Sequence, residues 1–359
     1  MQLCAYESGL TSLCKPEKKP YSKGMITSRT FGELPCGEPV TAYELNSEDG
    51  FCATILDYGA TLQSLIFPDG TDVVLGFDAL DSYLGEHPCF GAIIGRVANR
   101  IGGAAFEING TQFKLPANEH MNNLHSGPEG FDRMNWKGEI DGETLILRHK
   151  SPDAHQGFPG ELLTKLRFTS EGSTLVLEIE ATVDKPCPVN ITYHPYFNLT
   201  DGGATPCTDH HLQINASFYT HTDRYGVCTG ERSRAPCSGR YRYNNSRPIR
   251  AEESLDQNFV IKSTSGAKND EMVKMAKLSS DTTGHKVIIC STQRCIQAYT
   301  GSGISVIKGK SGVIYKAYHG VALEPQNYPN AINQPSFPSD ILHPGEIYKH
   351  KINYTFRAG

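Results

Sequence analysis

Residues 174–182 read TLVLEIEAT, and this stretch decides the fold. Apolar residues occupy every second position from Leu175 to Ala181, and most of the positions between them are polar. Successive side chains of a β-strand point to opposite faces, so a period of two predicts a strand with one buried face. Residues 347–356, IYKHKINYTF, repeat the pattern much later in the sequence.

Two dipeptides that end in glycine mark tight turns between such strands. Asn109-Gly110 stands within AAFEINGTQFKL, and Asp141-Gly142 stands within WKGEIDGETLILRHK. Both pairs favour the two positive-φ positions of a type I′ turn, which predicts two hairpins. The best helical pattern is short, at residues 78–87. We therefore predict an all-β fold with few short helices.

The domain organisation is simple. The 359 residues show no dividing linker and no internal repeat, which favours one domain at residues 25–359. Residues 1–24 have no periodic apolar face, so we predict a flexible extension and expect a protein starting at Met25 to keep its stability and activity. Residues 229–256 are rich in Arg, Ser, Asn and Gly, which predicts a long surface excursion.

Composition excludes several classes of protein. The formal net charge is -5 and no basic stripe occurs, so nucleic acid is not an expected partner. No apolar run approaches about 20 residues, and the first 24 residues hold no secretory signal, so we expect neither a membrane span nor export. The 11 cysteines are odd in number and form no CxxC pair, which predicts reduced thiols in a cytoplasmic protein.

Three segments place polar groups among apolar strand residues. GRVANRI supplies Arg96, Asn99 and Arg100, NNLHSG supplies His125, and NITYHPYFNL supplies His194. An aromatic setting such as that of His194 suits a sugar face. Each residue also has an ordinary interpretation, since a strand histidine is more often a hydrogen-bonded core group and the two arginines would usually be surface charges.

A carboxylate stands at the end of another apolar strand, in GVALEPQNYPNAINQP. Burial of Glu324 there would raise its pKa and make it a better base, whereas a strand-end glutamate that reaches solvent is an equal alternative. Asp256 in LDQNF and Gln297 in QAYTG are ordinary polar residues in isolation. No metal-ligand cluster, phosphate-binding loop or GxSxG nucleophile motif occurs, so we expect no metal and no cofactor.

Taken together and in order, these segments resemble the aldose 1-epimerase (galactose mutarotase) family over residues 25 to 357. The resemblance implies a large antiparallel β-sandwich (a supersandwich) with an open cleft. It makes Glu324 the general base and His194 the general acid. The residues that it implies for holding the sugar are Asn99, Arg100, His125, Asp256 and Gln297.

The reaction implied is the interconversion of the α and β anomers of a free hexose. A base takes the proton of the C1 hydroxyl and an acid gives one to the ring oxygen, with the two groups expected on opposite sides of the C1–O5 unit. Prolonged EDTA treatment should leave the rate unchanged. The expected partner is a small hexose, and the expected state is a monomer or weak dimer.

Two alternative functions stay open, and the sequence departs from the family pattern at three places. A hexose-phosphate 1-epimerase would need basic residues at the phosphate, and the local candidates are Arg232, Arg234, Arg240 and Arg242. A non-catalytic sugar-binding β-sandwich is the other alternative. Tyr193 stands where family members often have Asn, Pro325 where Thr is frequent, and residues 238–249 where the family has a shorter segment.

Overall fold

The computed structural model describes residues 24–236, 238–262 and 271–359. Within these ranges the chain folds into antiparallel sheets with one short α-helix, Leu80–Leu84. The all-β prediction is confirmed. Apart from Gly24, the predicted extension at residues 1–24 lies outside the described residues, so its flexibility stays a prediction.

The largest sheet has nine strands, and its middle strand is the predicted stretch near residue 350. The strand Tyr348–Arg357 pairs with Thr174–Val183 on one side and with Lys286–Ser291 on the other. In spatial order the strands are Lys137–Asp141, Thr144–Ser151, Leu162–Glu171, Thr174–Val183, Tyr348–Arg357, Lys286–Ser291, Val273–Ser280, His210–Ile214 and Arg247–Pro248.

A second sheet of six strands faces the first. In spatial order its strands are Tyr196–Phe197, Val321–Gln326, Cys295–Tyr299, Asp256–Ile261, Ala216–Thr222 and Cys228–Arg234. Apolar side chains of both sheets belong to one buried cluster, which includes Leu177 and Ile352 from the nine-stranded sheet and Ile296 and Leu323 from the six-stranded sheet. The two sheets therefore form a sandwich around a shared core.

Smaller sheets complete the fold. A four-stranded sheet consists of Ile26–Glu33, Pro39–Asn46, Cys52–Leu56 and Leu62–Ile66. The two-stranded ribbons pair Cys187–Pro188 with Ile341–Leu342, Thr192–Tyr193 with Ile93–Ile94, Ile307–Lys308 with Ile314–Tyr315, Arg100–Ile101 with Asn123–Leu124, and Ala105–Ile108 with Thr111–Lys114. Short 3-10 turns occur at Gly102–Ala104, Phe131–Arg133, His155–Gly157, Cys207–Asp209, Ala251–Glu253, Lys310–Gly312 and Ala331–Asn333.

The two predicted hairpins form, but only one has the predicted turn. Asn109 and Gly110 have φ angles of 52° and 78° between the paired residues on either side, as a type I′ turn requires. In the other hairpin Asp141 pairs with Thr144, so the central residues are Gly142 and Glu143. Positive φ is confined to Gly142, at 59°, which is the type II′ arrangement one residue later than predicted.

Two other predictions need adjustment. The helix within residues 78–87 forms but spans five residues, and it buries Leu80 and Tyr83. Residues 229–256 are not entirely a surface excursion, because Cys228–Arg234 is an edge strand of the six-stranded sheet and Tyr243 is buried. An edge strand carries polar residues on both faces, so it shows no apolar period in the sequence.

Candidate active site

Three of the predicted site residues come from neighbouring strands of the six-stranded sheet. Gln297 lies directly opposite Glu324 in the ladder, and Asp256 lies opposite Tyr299. Because residues two apart on a strand share a face, Glu324, Gln297 and Asp256 all point to the same side of the sheet. The Gln297 amide donates a hydrogen bond to Oδ1 of Asp256 at 2.5 Å.

His194 reaches the same place from a segment that changes sheets. Thr192–Tyr193 pairs with Ile93–Ile94, and Tyr196–Phe197 pairs with the strand that carries Glu324. The backbone of His194 is fixed between these strands, since its N–H donates to the carbonyl of Ala92 at 2.9 Å. The imidazole ring stacks on Tyr196, with centroids 5.0 Å apart.

Nε2 of His194 lies 3.3 Å from Oε1 of Glu324. The two residues are 5% and 2% exposed. The two groups are direct neighbours, and their expected placement about the C1–O5 unit of a sugar stays a prediction. The alternative of a solvent-exposed Glu324 is wrong.

Burial controls the protonation of this pair. It raises the pKa of Glu324 well above its ordinary value; Asp256 raises that pKa further and Arg100 lowers it. Burial also lowers the pKa of His194 to about 4. Desolvation disfavours the charged form of each group, so the free pair favours a protonated carboxyl beside a neutral imidazole. The alternative state is an ion pair, with Glu324 as a carboxylate and His194 as an imidazolium. Each of the two states holds one proton, and transfer of that proton between the side chains interconverts them.

His125 can donate a hydrogen bond through Nε2, because its other ring nitrogen is an acceptor. Its Nδ1 accepts a hydrogen bond from the backbone N–H of Asn99 at 3.1 Å. Burial lowers the pKa of His125 well below its ordinary value, and His194 and Arg100 lower it further. The ring is therefore neutral with its proton on Nε2. It stands nearly perpendicular to the ring of His194, with centroids 5.6 Å apart.

Arg100 has a partner that the sequence analysis missed. Its Nε and Nη2 each donate to a carboxylate oxygen of Glu119 at 2.6 Å, a bidentate pair. Asn99 accepts a hydrogen bond from the backbone N–H of Arg100 through Oδ1 at 2.8 Å. Glu119 stands in a loop with no motif around it, so no local pattern marks it.

All seven predicted site residues line one cavity of about 320 Å³. They are Glu324, His194, Asn99, Arg100, His125, Asp256 and Gln297. The other residues of the lining are His87, Pro88, Cys89, Glu119, Leu124, Tyr196 and Tyr299. The cavity thus combines a buried acid–base pair with polar groups and two tyrosine rings, a composition that suits a hydroxyl-rich ligand.

Arg96 does not belong to this cavity, and its interpretation as a surface charge is wrong. It is 2% exposed. Its guanidinium donates to Oγ of Ser151 and to the carbonyls of Ser151, Pro152, Pro159 and Gly160 at 2.8–3.0 Å. The hydrogen bonds of Arg96 connect the segment before Asn99 to both ends of the loop between the strands Thr144–Ser151 and Leu162–Glu171.

The three departures from the family pattern lie outside the lining of the cavity. Tyr193 is buried in the core, with its ring 5.8 Å from that of Phe168. The carbonyl of Pro325 accepts a hydrogen bond from the Thr192 hydroxyl at 2.7 Å. Residues 238–249 contribute nothing to the cavity lining.

Two further observations concern the described ranges only. They contain no cluster of three or more His, Cys, Asp or Glu side chains placed to hold a metal ion. Their single α-helix, with five residues, is too short to cross a bilayer.

Comparison with known proteins gives a consistent result. The sequence model of the aldose 1-epimerase family matches residues 41–355. The chain is 36% identical over 345 residues to galactose mutarotase of Sus scrofa, covering 92% of this chain and 98% of that protein. It is 33% identical to aldose 1-epimerase of Escherichia coli K12, covering 90% and 97%.

A solved structure shares the fold as well. The GalM/aldose epimerase homologue from C. elegans superimposes with a TM-score of 0.81 at 28% identity, covering 88% of this chain and 98% of that one. The match thus extends over nearly the whole of each protein, in sequence and in structure. The chain belongs to the aldose 1-epimerase family.

Proposed function

We propose that the protein is an aldose 1-epimerase that interconverts the α and β anomers of a free hexose such as D-galactose. The observation that carries this proposal is the 3.3 Å approach of Nε2 of His194 to Oε1 of Glu324 within the cavity. O1 and the ring oxygen O5 of a hexose are both bonded to C1. The two oxygens are therefore close together, and a pair of neighbouring acid–base groups such as this one can reach both.

In the proposed mechanism the pair starts with its single proton on the imidazole. The Glu324 carboxylate accepts the proton of O1–H, the C1–O5 bond breaks, and His194 gives its proton to O5. Rotation about C1–C2 then turns the other face of the aldehyde toward O5. In ring closure O5 returns its proton to His194, and Glu324 gives its proton to O1, so both groups recover their starting forms.

The remaining polar groups suit the positioning of sugar hydroxyls. The Nε2–H of His125 and the guanidinium of Arg100 are donors, whereas the Asp256 carboxylate is an acceptor. Asn99 and Gln297 offer amides. The rings of Tyr196 and Tyr299 provide an apolar wall for the C–H face of the sugar.

The cavity supports a neutral substrate better than a phosphorylated one. Among the described residues that line the cavity, Arg100 is the sole Lys or Arg, and its guanidinium already binds Glu119 through two hydrogen bonds. The basic residues considered for a phosphate lie elsewhere, since Arg240 and Arg242 line a separate pocket beside Glu253. Arg232 donates to the hydroxyl of Tyr328.

We also propose a cytoplasmic location and a monomer or weak dimer. The eight cysteines of the described ranges are all free thiols, which supports a reducing compartment. No cofactor or metal enters the proposed steps, since Glu324 and His194 between them move every proton that the reaction requires.

Polarimetry with freshly dissolved α-D-galactose and α-D-glucose tests the function. The protein should accelerate the change in optical rotation well beyond the spontaneous rate, and α-D-galactose 6-phosphate should react much more slowly. No acceleration with any free hexose would refute the proposal. Faster reaction of the phosphate ester would favour the hexose-phosphate alternative.

A further inference from the structure

The segment NYPNAINQP, residues 327–335, follows the strand that carries Glu324 and takes no part in the proposed reaction steps. Three of its side-chain amides, those of Asn330, Asn333 and Gln334, donate to backbone carbonyls of other segments. None of these three side chains lines the catalytic cavity. Their contacts lead to a residue that does line it.

Asn330 connects the loop after Glu324 to the ribbon that carries Arg100. The side chain of Asn330 is buried, and its Oδ1 accepts the backbone N–H of Gly102 at 3.1 Å. The amide of Asn333 donates to the same Oδ1 at 3.1 Å and holds it in place. The chain is therefore fixed two residues after Arg100 by a side chain from the loop that follows the base.

The other end of the Asn330 amide fixes the turn that lies against Arg100. Nδ2 of Asn330 donates to the carbonyl of Cys228 at 3.0 Å, and the Gln334 amide donates to the same oxygen at 3.1 Å. Cys228 begins an edge strand, and the turn before it contains Gly226. A Cβ atom on Gly226 would stand 3.1 Å from Cζ of Arg100. The turn thus limits where the guanidinium can move.

The guanidinium of Arg100 is sensitive to such placement. Glu119 accepts two of its five N–H groups, from Nε and Nη2, which leaves three for sugar hydroxyls. A planar guanidinium donates in fixed directions, so a backbone displacement of about 1 Å moves all of these donors relative to Glu324. The contacts that set the position of Arg100 therefore influence how well a hexose fits between them and the base.

We propose that Asn330 is a positioning residue for hexose binding, which holds Arg100 in its place across the cavity from Glu324. It acts on the backbone through Gly102 and on the guanidinium through the turn before Cys228. Asn330 itself contacts no substrate. The inference rests on the proposed function, because the affinity that it explains is that for a hexose.

Asn330→Gly in the full-length protein tests the proposal. The backbone of Asn330 has a φ of 59°, which glycine adopts freely, so the variant loses the amide and keeps the backbone conformation. We expect KM for D-galactose to rise about fivefold or more and kcat to change less than about twofold, because the acid–base pair stays in place. The matched control is Asn109→Gly, at an exposed turn position with a φ of 52°, which should change neither constant.

A double-mutant cycle separates positioning from a general loss of stability. If Asn330 acts through Arg100, Asn330→Gly should not lower kcat/KM further in a protein that already carries Arg100→Ala. Hydrogen exchange of the Gly102 amide gives a reading that does not depend on activity. Loss of its buried acceptor should speed that exchange about tenfold or more.

Circular dichroism must show that Asn330→Gly folds. If it does not, Asn330→Asp takes its place in the same measurements, because aspartate keeps the acceptor for Gly102 and loses the donor to Cys228. We expect this variant to raise KM about threefold.

The outcomes distinguish this inference from the proposed function. A wild-type protein without mutarotase activity would overturn both. An active wild type with an unchanged KM in the folded variant would overturn the inference alone, even if exchange at Gly102 became faster. An equal loss of kcat/KM with and without Arg100→Ala would do the same, as would a fall in kcat at constant KM, which would place the effect at the acid–base pair.

Discussion

The imidazole of His194 and the carboxyl of Glu324 lie 3.3 Å apart in a site where both side chains are almost fully buried. They come from segments 130 positions apart in the sequence, and two different sheet pairings bring them together. The pair therefore exists only in the folded protein. Because the two groups share one proton, the protonation of each depends on the other. A change in either residue should therefore affect both ring opening and ring closure.

Glu324→Gln should remove the base at nearly constant volume. We expect kcat to fall on the order of 10²-fold or more, because the amide cannot accept the proton of O1–H. His194→Asn should cost a similar factor. Polarimetry measures the rates, and circular dichroism must show that both variants fold. A folded Glu324→Gln variant with near-normal turnover would show that another group is the base.

The pH dependence should report the pair as a unit. Activity requires one proton on the pair, so kcat/KM should fall when a second proton binds and again when the last one leaves. His194 has a lowered pKa of about 4, which places the acid limb near pH 4. Burial raises the pKa of Glu324, which moves the alkaline limb upward. A flat profile between pH 3 and pH 10 would contradict the shared-proton mechanism.

Glu119→Gln should weaken the binding of the hexose more than it slows the reaction. The change removes the charge that orients Arg100, and charge-assisted hydrogen bonds contribute about 1.5–3 kcal/mol. We expect KM to rise about tenfold and kcat to change less than about threefold. The control is Glu139→Gln, which removes the partner of Arg148 on the surface. An unchanged KM for Glu119→Gln would mean that Arg100 needs no such support.

Arg96→Lys should destabilise the fold. A lysine ammonium has three donors, so some of the five acceptors that Arg96 satisfies would lose their partners. We expect the free energy of unfolding to fall by about 3 kcal/mol or more in urea titrations. Arg148→Lys, at a half-exposed position, should change it by less than about 0.5 kcal/mol. A loss below about 1 kcal/mol for Arg96→Lys would show that the loop around these acceptors adapts to the lysine.

Local patterns in the sequence predicted local structure well. The alternation in residues 174–182 corresponds to the strand Thr174–Val183, and Asn109-Gly110 forms the expected turn. The turn at Gly142 differs by one residue because a single glycine is compatible with two hairpin registers. The ladder between the flanking strands decides between them, and that pairing is not visible in the turn sequence.

The site was predicted through resemblance rather than local pattern. All seven residues meet in one cavity, but their roles in binding and catalysis stay predictions until they are tested. Glu119 and the burial of Arg96 escaped the sequence analysis for a shared reason. The nearest acceptors of Arg96 are 55 or more positions away, and Glu119 is 19 positions from Arg100. Such contacts depend on tertiary packing, which no short motif encodes.

The position of the strand Tyr348–Arg357 has a consequence for biosynthesis. It joins Thr174–Val183 to Lys286–Ser291 at the middle of the nine-stranded sheet, yet it follows both of them in the chain. Until it emerges from the ribosome, each half of the sheet presents an unpaired edge in the interior of the future sandwich. Such edges readily pair with other chains. A nascent molecule must therefore be protected from its neighbours until its closing strand is translated.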